Sequence, residues 1–375
     1  MHIALLHNRD HLLLDEDPGR EAREDVVRVA AALAASLEGG KRTIELVPID
    51  QDLFTMHETF SLRRPDVVVN LCESLAADSR GEMLVPAMLD LLNVPYTGSS
   101  ALSLALALHK NKAKEILAAR GVPTPPFCVV ERVEDLVRVN LPFPLIVKPA
   151  REDASMGIDF DSVVHDQAAL GRAVAKVLRT FRQPALVEAF IAGREIYVPL
   201  LGNASRRALP LTEIQFGRAF ENRPNILSYI AKWDESSPEC IESPAVSAVL
   251  APALEARCIE VALAAFEALE CRDYGRVDLR VDAAGNPFVI DINPNCDLHP
   301  QAGFAKAAAA AGIAYAELAL HLVELAEERR HGNQATRAIG PTAARRTPQP
   351  HRDLHAGRAS SRARAHRRRP PAEQP

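Results

Sequence analysis

The stretch GRVDLRVDAAGNPFVIDIN, Gly275 to Asn293, decides how this chain is read. Two alternating apolar runs, RVDLRVD and PFVIDIN, flank AAGN, a short loop with glycine where a hairpin wants it. With Ala284 and Gly285 at the tip, Asp278 faces Asp291. Side chains alternate along a strand, so Asn293 shares the face of Asp291, while Ile290 and Ile292 turn the other way with Val277, Leu279 and Val281. One face is apolar and the other acidic. Carboxylates opposed at about 5 Å repel by roughly 3 kcal/mol at a surface-like dielectric. Water on an exposed face, a proton shared by the pair, or a divalent cation each offset such repulsion. Oxygen ligands without His or Cys select Mg²⁺ or Mn²⁺, and Mg²⁺ held by few side chains completes its shell with phosphates and water.

Phosphate-binding features are therefore sought upstream. Lys148 closes the apolar run PLIVK, and Ala154, Ser155 and Gly157 follow in a loop of small residues. A lysine at a strand end beside such a loop suits a polyphosphate, or is simply an edge lysine. Lys110 sits in ALHKNKAK on an otherwise apolar helix. Glu188 and Glu195 lie on either side of the turn IAGR, either as two edge glutamates or as carboxylates for the amino group and ribose of an adenine whose ring edge meets the backbone between them.

Length and charge narrow the classes. A chain of 375 residues, 47% hydrophobic and 25% charged, buries a sizeable core in two or three domains. No apolar run reaches a membrane span, and MHIALLHN lacks the features of a signal peptide, so a cytoplasmic protein is expected. The six cysteines fall singly, without zinc spacing, and reduced thiols are expected. Residues 331–375 hold ten arginines against Asp353 and Glu373, so this tail carries +8 and the remainder −13 of the net −5. A strongly acidic body argues against nucleic acid as the main ligand. The tail, rich in Arg and Pro and poor in apolar residues, is expected to stay unfolded from residue 329 on.

Along the chain, HIALLH, KRTIELVPI and PDVVVNL read as strands with helical runs between them, a parallel sheet over residues 1–105. SALSLALALHKNKAKEILAARGV reads as one helix ending at Gly121. Residues 106–190 then form a small α+β unit, and residues 191–328 alternate strands with one long helix, SPAVSAVLAPALEARCIEVALAAFEAL, before the acidic hairpin.

Taken in order, PYTGSS, HK, LIVKP with its small-residue loop, VEAFIAGRE and GRVDLRVDAAGNPFVIDIN resemble the ATP-grasp ligases, most closely the D-alanine:D-alanine ligase family, from about Val67 to Ala326. The resemblance implies an α/β and α+β chain, an ATP-grasp fold preceded by an N-terminal parallel-sheet domain. It also implies ATP and two Mg²⁺ ions, small-molecule carboxylate and amine substrates, a homodimer, and ligation through an acyl phosphate. A nucleotide-binding or regulatory protein without turnover is the alternative. By position, Lys110 and Lys148 become phosphate ligands and Ser155 part of the flap over them. Glu188 takes the adenine amino group, Ile191 the adenine edge, Glu195 the ribose, and Lys232 the nucleotide. Asp278, Asp291 and Asn293 become metal ligands, with Asp where the family commonly has Glu at 291. Arg276 becomes the arginine beside the transferring phosphoryl group.

Three positions depart from the pattern. HNRDHLLLDEDPGREARED replaces the glycine-rich turn that carries the family's substrate glutamate, leaving Glu21 or Glu24 as substitutes. Ala154 and Trp233 fall where the family has a hydrogen-bonded serine and tyrosine. NPNCD replaces the glycine-containing loop at the oxyanion, placing Asp297 there with His299 nearby as candidate substrate residues. An anionic Asp297 is unfavourable beside an oxyanion or carboxylate. An amine substrate that is not held by an α-carboxylate, with Asp297 on a cationic group, is therefore expected.

Overall fold

A computed structural model describes residues 1–9, 20–49 and 52–338. The early apolar runs form β1 (His2–Asn8), β2 (Thr43–Ile49) and β3 (Val67–Asn70), parallel in the order β2-β1-β3. Parallel strands are covered on both faces, and β1 shows why the run is continuous. Ile3 and Leu5 pack with Val29, Leu33 and Leu37 of α1 (Arg20–Leu37). Ala4 and Leu6 pack on the opposite side with Met56 and Phe60 of α2 (Leu53–Leu62) and with Val85 and Leu89 of α3 (Leu84–Leu91).

The helix expected to run unbroken to Gly121 is two helices, α4 (Ala101–Leu108) and α5 (Lys110–Ala119). His109, at φ −80° and ψ 77°, leaves helical geometry and donates Nδ1–H back to Ala105 O at 2.8 Å. Lys110 N–H then donates to Ala150 O at 3.0 Å. Apolar spacing continues across the break, so periodicity could not reveal it; a tertiary hydrogen bond decides it. Next come β4 (Phe127–Val130), β5 (Leu145–Pro149), β6 (Val163–Val164) and β7 (Ala185–Ala189), an antiparallel sheet in the order β4-β7-β5-β6. Leu170, Val174 and Val177 of α6 (Gln167–Phe181) cover one face.

The remaining strands are β8 (Arg194–Leu201), β9 (Arg207–Ala208), β10 (Thr212–Ile214), β11 (Ala245–Ser247), β12 (Tyr274–Val281) and β13 (Pro287–Asn293). Their order is β11-β10-β8-β12-β13, with β9 on β8. Between them lie α7 (Tyr229–Trp233), α8 (Pro238–Ile241) and α9 (Pro252–Ala268), the last packing Cys258, Val261, Ala265 and Phe266 on the apolar face of the sheet. The long helix expected from Ser243 thus begins only at Pro252, and its first part is strand β11. Proline is accommodated at the first helical position but not in a helix interior.

The hairpin holds its expected Asp278–Asp291 pairing, and departs from expectation one residue later. The register shifts between Asp278 and Leu279, so Leu279 pairs with Val289 and Ile290 is the extra residue of a bulge. Val289, 1% exposed, takes the core position expected for Ile290. Ile290 is turned into the cleft described below.

Helices α10 (Gly303–Ala310) and α11 (Tyr315–Ala338) return to the first sheet, where Phe304, Leu318 and Leu322 join the α1 core. Helix α11 continues past residue 328, where an unfolded tail was expected to begin. Arg329 anchors it by bonding Asp273 Oδ1 and Tyr96 O. The rest of the expected tail, from residue 339, lies outside the described residues, as does the side chain of Glu21. Among the described residues no single helix is long and apolar enough to cross a membrane; α10 with the first part of α11 passes only as a bent pair.

Candidate active site

A cleft is lined by residues of β5, β7, β8, β12 and β13 and by the loop after β5. At one end stands Glu188, 1% exposed on the central strand β7, in register with Phe127 and Ile146. Lys148 Nζ lies 3.0 Å from Glu188 Oε1 and Lys114 Nζ 3.5 Å from Oε2. The Lys148 contact is off the hydrogen-bonding direction, so buried Oε1 accepts no hydrogen bond. The ammonium instead donates to the bulge carbonyl, Ile290 O, at 3.3 Å. Oε1 is closed off from solvent, and its charge is met by the Lys148 ammonium.

The turn from β7 to β8 forms the neighbouring wall. Phe190 N–H donates to Pro144 O at 3.0 Å, and Ile191 follows on the cleft lining. Gly193 has φ +143°, and a Cβ there would sit 2.0 Å from Val281 O, so only glycine lets this turn approach β12. Glu195, 5% exposed, accepts from Tyr197 Oη at 2.9 Å and pairs with Arg280 at 3.2 Å. Burial raises its pKa, with Arg280 opposing. Arg280 also reaches Gly193 O at 3.2 Å and Asn225 O, tying the turn to the segment before α7.

At the other end, Lys110 Nζ lies 2.8 and 2.9 Å from the two oxygens of Asp291 and 2.9 Å from Asp153. Burial works against this ammonium, but Asp153 and Asp291 outweigh it and hold its pKa above the usual lysine value. Arg276 forks onto Asp278 at 2.6 and 2.8 Å, and Asn293 Nδ2 donates to Asp278 at 3.1 Å. Each member of the opposed acid pair thus has its own side-chain cation, an offset to repulsion absent from the three considered from sequence. The donor set still suits a hard cation. Two carboxylates and the Asn293 amide oxygen share one strand face at the cleft, and oxygen donors of this number leave coordination places for phosphate and water. Among the described residues no three His, Cys, Asp or Glu side chains converge as a metal site.

The loop after β5 closes the cleft from the side. Ala154 and Ser155 have φ of +54° and +60°. Ser155 Oγ donates to Leu227 O at 2.9 Å. Ala154 and Trp233 lack the expected side-chain pair, but the positions remain joined: the Trp233 indole donates to Ala154 O at 3.0 Å. Lys232 lines the cleft, its pKa lowered by desolvation and then by Arg276.

Asp297 and His299 are not on the cleft lining. Asp297 Oδ1 accepts from His299 N–H at 2.7 Å, and His299 Nδ1 from Gln301 N–H at 3.2 Å, in a local turn. Burial raises the pKa of Asp297. A residue missed from sequence, Glu73, has its pKa pushed up to about 8 by burial and then by the charge of Asp297, with Lys232 opposing. Its position just past β3, at the carboxyl end of a parallel strand, was the available signal. Arg280 was missed as well, although its parity with Arg276 and Asp278 places it on the same strand face. Lys114, 3% exposed one helical turn beyond Lys110, had no local signal.

A family profile described as D-ala D-ala ligase C-terminus matches residues 116–324. The D-alanine–D-alanine ligase of Desulforudis audaxviator (strain MP104C) is 33% identical over 316 residues, covering 82% of this chain and 95% of the relative. That of Pelotomaculum thermopropionicum (strain DSM 13744 / JCM 10971 / SI) is 34% identical over 254 residues, 65% and 76% of the two chains. An uncharacterized protein, y4sG of Sinorhizobium fredii (strain NBRC 101917 / NGR234), is 37% identical over 313 residues, 82% and 89%. In fold, the Bacillus anthracis D-alanine–D-alanine ligase solved in complex with ATP superposes with a TM-score of 0.69 at 21% identity, over 89% of this chain and 99% of that one. Sequence profile, relatives and fold agree: the chain belongs to the D-alanine–D-alanine ligase family of ATP-grasp, ATP-dependent ligases.

Proposed function

We propose that the chain is an ATP-dependent carboxylate–amine ligase acting through an acyl phosphate. One observation carries this reading: a single cleft has a buried carboxylate, Glu188, at one end and a lysine–arginine–carboxylate cluster at the other. The first matches the amino group of adenine, the second a polyphosphate. Ile191 would offer its peptide edge to the base and Glu195 its carboxylate to the ribose. Lys110, Lys148 and Lys232 would neutralise the phosphates so that an anionic carboxylate can approach. The substrate carboxylate oxygen then bonds to the γ-phosphorus as the bond to ADP breaks. An amine nitrogen next bonds to the acyl carbon and inorganic phosphate leaves. Arg276, held rigid by Asp278, would add positive charge where negative charge develops.

Asp278, Asp291 and Asn293 would hold Mg²⁺, which when bound supplies Lewis-acid neutralisation of the phosphate oxygens. Binding would require Arg276 and Lys110 to share or release their carboxylates. On the acceptor side, the charge of Asp297 raises the Glu73 pKa and that of Lys232 lowers it, and two carboxyl groups there support an amine carrying a cationic group rather than an α-carboxylate. A cation arriving there would also let Glu73 ionise.

Purified protein given ATP, Mg²⁺ and paired carboxylates and amines should release ADP and phosphate only when both partners are present. Nucleotide binding without such turnover would support the regulatory alternative. Synthesis of D-alanyl-D-alanine at a rate typical of a ligase would sink the cationic-acceptor reading while leaving the ligase.

A further inference from the structure

Lys110 is the first residue of α5, and the loop after β5 holds it twice. Its backbone N–H donates to Ala150 O at 3.0 Å, and its ammonium donates to Asp153 Oδ1 at 2.9 Å. The same ammonium is gripped by both oxygens of Asp291, at 2.8 and 2.9 Å. An ammonium has three hydrogens, and these contacts account for them. The Lys110 side chain is 7% exposed, which leaves little room for another partner. A further acceptor that bonds to Lys110 must therefore displace a carboxylate.

The two carboxylates are not equally placed. Asp291 stands on β13 in register with Asp278, its side chain is 28% exposed, and its Oδ1 also accepts from Ile292 N–H at 3.1 Å. Asp153 gives Lys110 one oxygen, its side chain is 42% exposed, and it stands on a loop. The loop backbone is pinned on either side of it. Arg151 N–H donates to Gln183 Oε1 at 2.6 Å, and the Trp233 indole donates to Ala154 O at 3.0 Å. What can yield is the Asp153 side chain, by a change of rotamer towards water with the loop kept in place.

We propose that Asp153 is an autoinhibitory plug: its carboxylate takes the Lys110 ammonium in the manner of a phosphate oxygen, so a phosphate group entering this end of the cleft bonds to Lys110 only by expelling it. The inference rests on this end of the cleft receiving phosphate. Charge supports the geometry. Burial works against the Lys110 ammonium, and the charge of Asp153 is the largest influence opposing that burial, ahead of Asp291. The contact is therefore strong enough to compete. Asp153 also repels an incoming phosphate while it stays beside Lys110, so the plug weakens binding on both counts.

The test is equilibrium binding of ATP to the full-length protein by calorimetry in EDTA, for wild type, D153N, D153S and E152Q, with circular dichroism checking the fold. D153N keeps the shape of the side chain and removes its charge. Removing a like charge from about 5 Å of a bound anion corresponds to roughly tenfold to a hundredfold in affinity, after allowance for the exposure of Asp153. D153N should bind ATP more tightly than wild type by about that factor; D153S should do likewise, and serves if D153N does not fold. E152Q removes the same charge from the same loop, where Glu152 Oε1 accepts from Gln183 Nε2 at 2.8 Å. Its gain should be no more than about threefold. Binding that appears only in D153N and D153S supports the plug in its strongest form. An equal gain in E152Q shows a general relief of negative charge and overturns the plug, as does unchanged or weaker binding by folded D153N. Repeating the titration in Mg²⁺ separates a plug from a metal ligand: a gain in both media supports the plug, whereas a gain in EDTA that becomes a loss in Mg²⁺ overturns it. ATP binding by none of the four proteins overturns the nucleotide reading of the cleft and this inference with it.

Discussion

Replacing Arg276 with methionine separates what side-chain cations do for the acid pair from what a metal would do. The guanidinium forks onto Asp278 at 2.6 and 2.8 Å, with side chains 17% and 9% exposed, while its carbon lies 4.3 Å from the Tyr197 ring centroid. Methionine keeps most of the packing and removes the charge. Asp278 is then left in register with Asp291, whose own cation Lys110 is divided with Asp153. Breaking a buried pair by removing one partner costs about 3–5 kcal/mol; with the residual exposure here, roughly 2–4 kcal/mol is expected. Urea unfolding of wild type and R276M measures it. Adding D278N to R276M should recover most of the loss, because the stranded charge goes. Mg²⁺ at matched ionic strength should also stabilise R276M, by about 2.7 kcal/mol at a hundredfold excess over its Kd, and wild type by less at the same concentration. A loss below about 1 kcal/mol, or a double variant no more stable than R276M, would refute the electrostatic reasoning. Equal Mg²⁺ effects on both proteins would refute only the ion's competition with Arg276.

Two further perturbations probe the joint between the first sheet and the acid strand. Asn295 Nδ2 donates to Cys72 O and Glu82 Oε1, both at 2.9 Å, and its Oδ1 accepts from Tyr274 Oη at 2.9 Å. N295A strands three groups and should cost roughly 2–4 kcal/mol in urea unfolding; a change within about 0.5 kcal/mol would show the joint is not needed. Glu73 has its pKa raised from 4.5 to about 8, so the folded chain binds more protons than the unfolded chain across that range. Stability contributed by protonated Glu73 is full below about pH 4.5 and lost as pH rises through about 8. E73Q should therefore gain stability over wild type between pH 5 and 8, by roughly 2 kcal/mol after solvent screening. A pH-independent difference in urea midpoints would contradict this.

Much of the fold was written in local pattern. Uninterrupted apolar runs in β1 and β3 announced a sheet covered on both faces, and alternation in GRVDLRVD and FVIDIN announced a hairpin with an acidic side. Residue types at strand ends pointed to one shared site: Lys148, Glu188, Asp278, Asp291 and Asn293 all line the cleft. These signals survive because each depends on a side chain's own period or on neighbours within one hairpin.

Other features depend on partners far away in sequence. His109 breaks a helix whose apolar spacing never falters, because Lys110 N–H finds Ala150 O. The Ile290 bulge exchanges which side chain enters the core. Trp233 bonds to Ala154 through its indole where side-chain comparison alone gave no bond. Glu73, Lys114 and Arg280 acquire meaning only from what faces them. The sequence by itself determined the strand faces, the chemical types in the site and the family to which they point. Tertiary structure decided which cation meets which carboxylate, because burial and long-range contact, not local periodicity, set the energy of a charge.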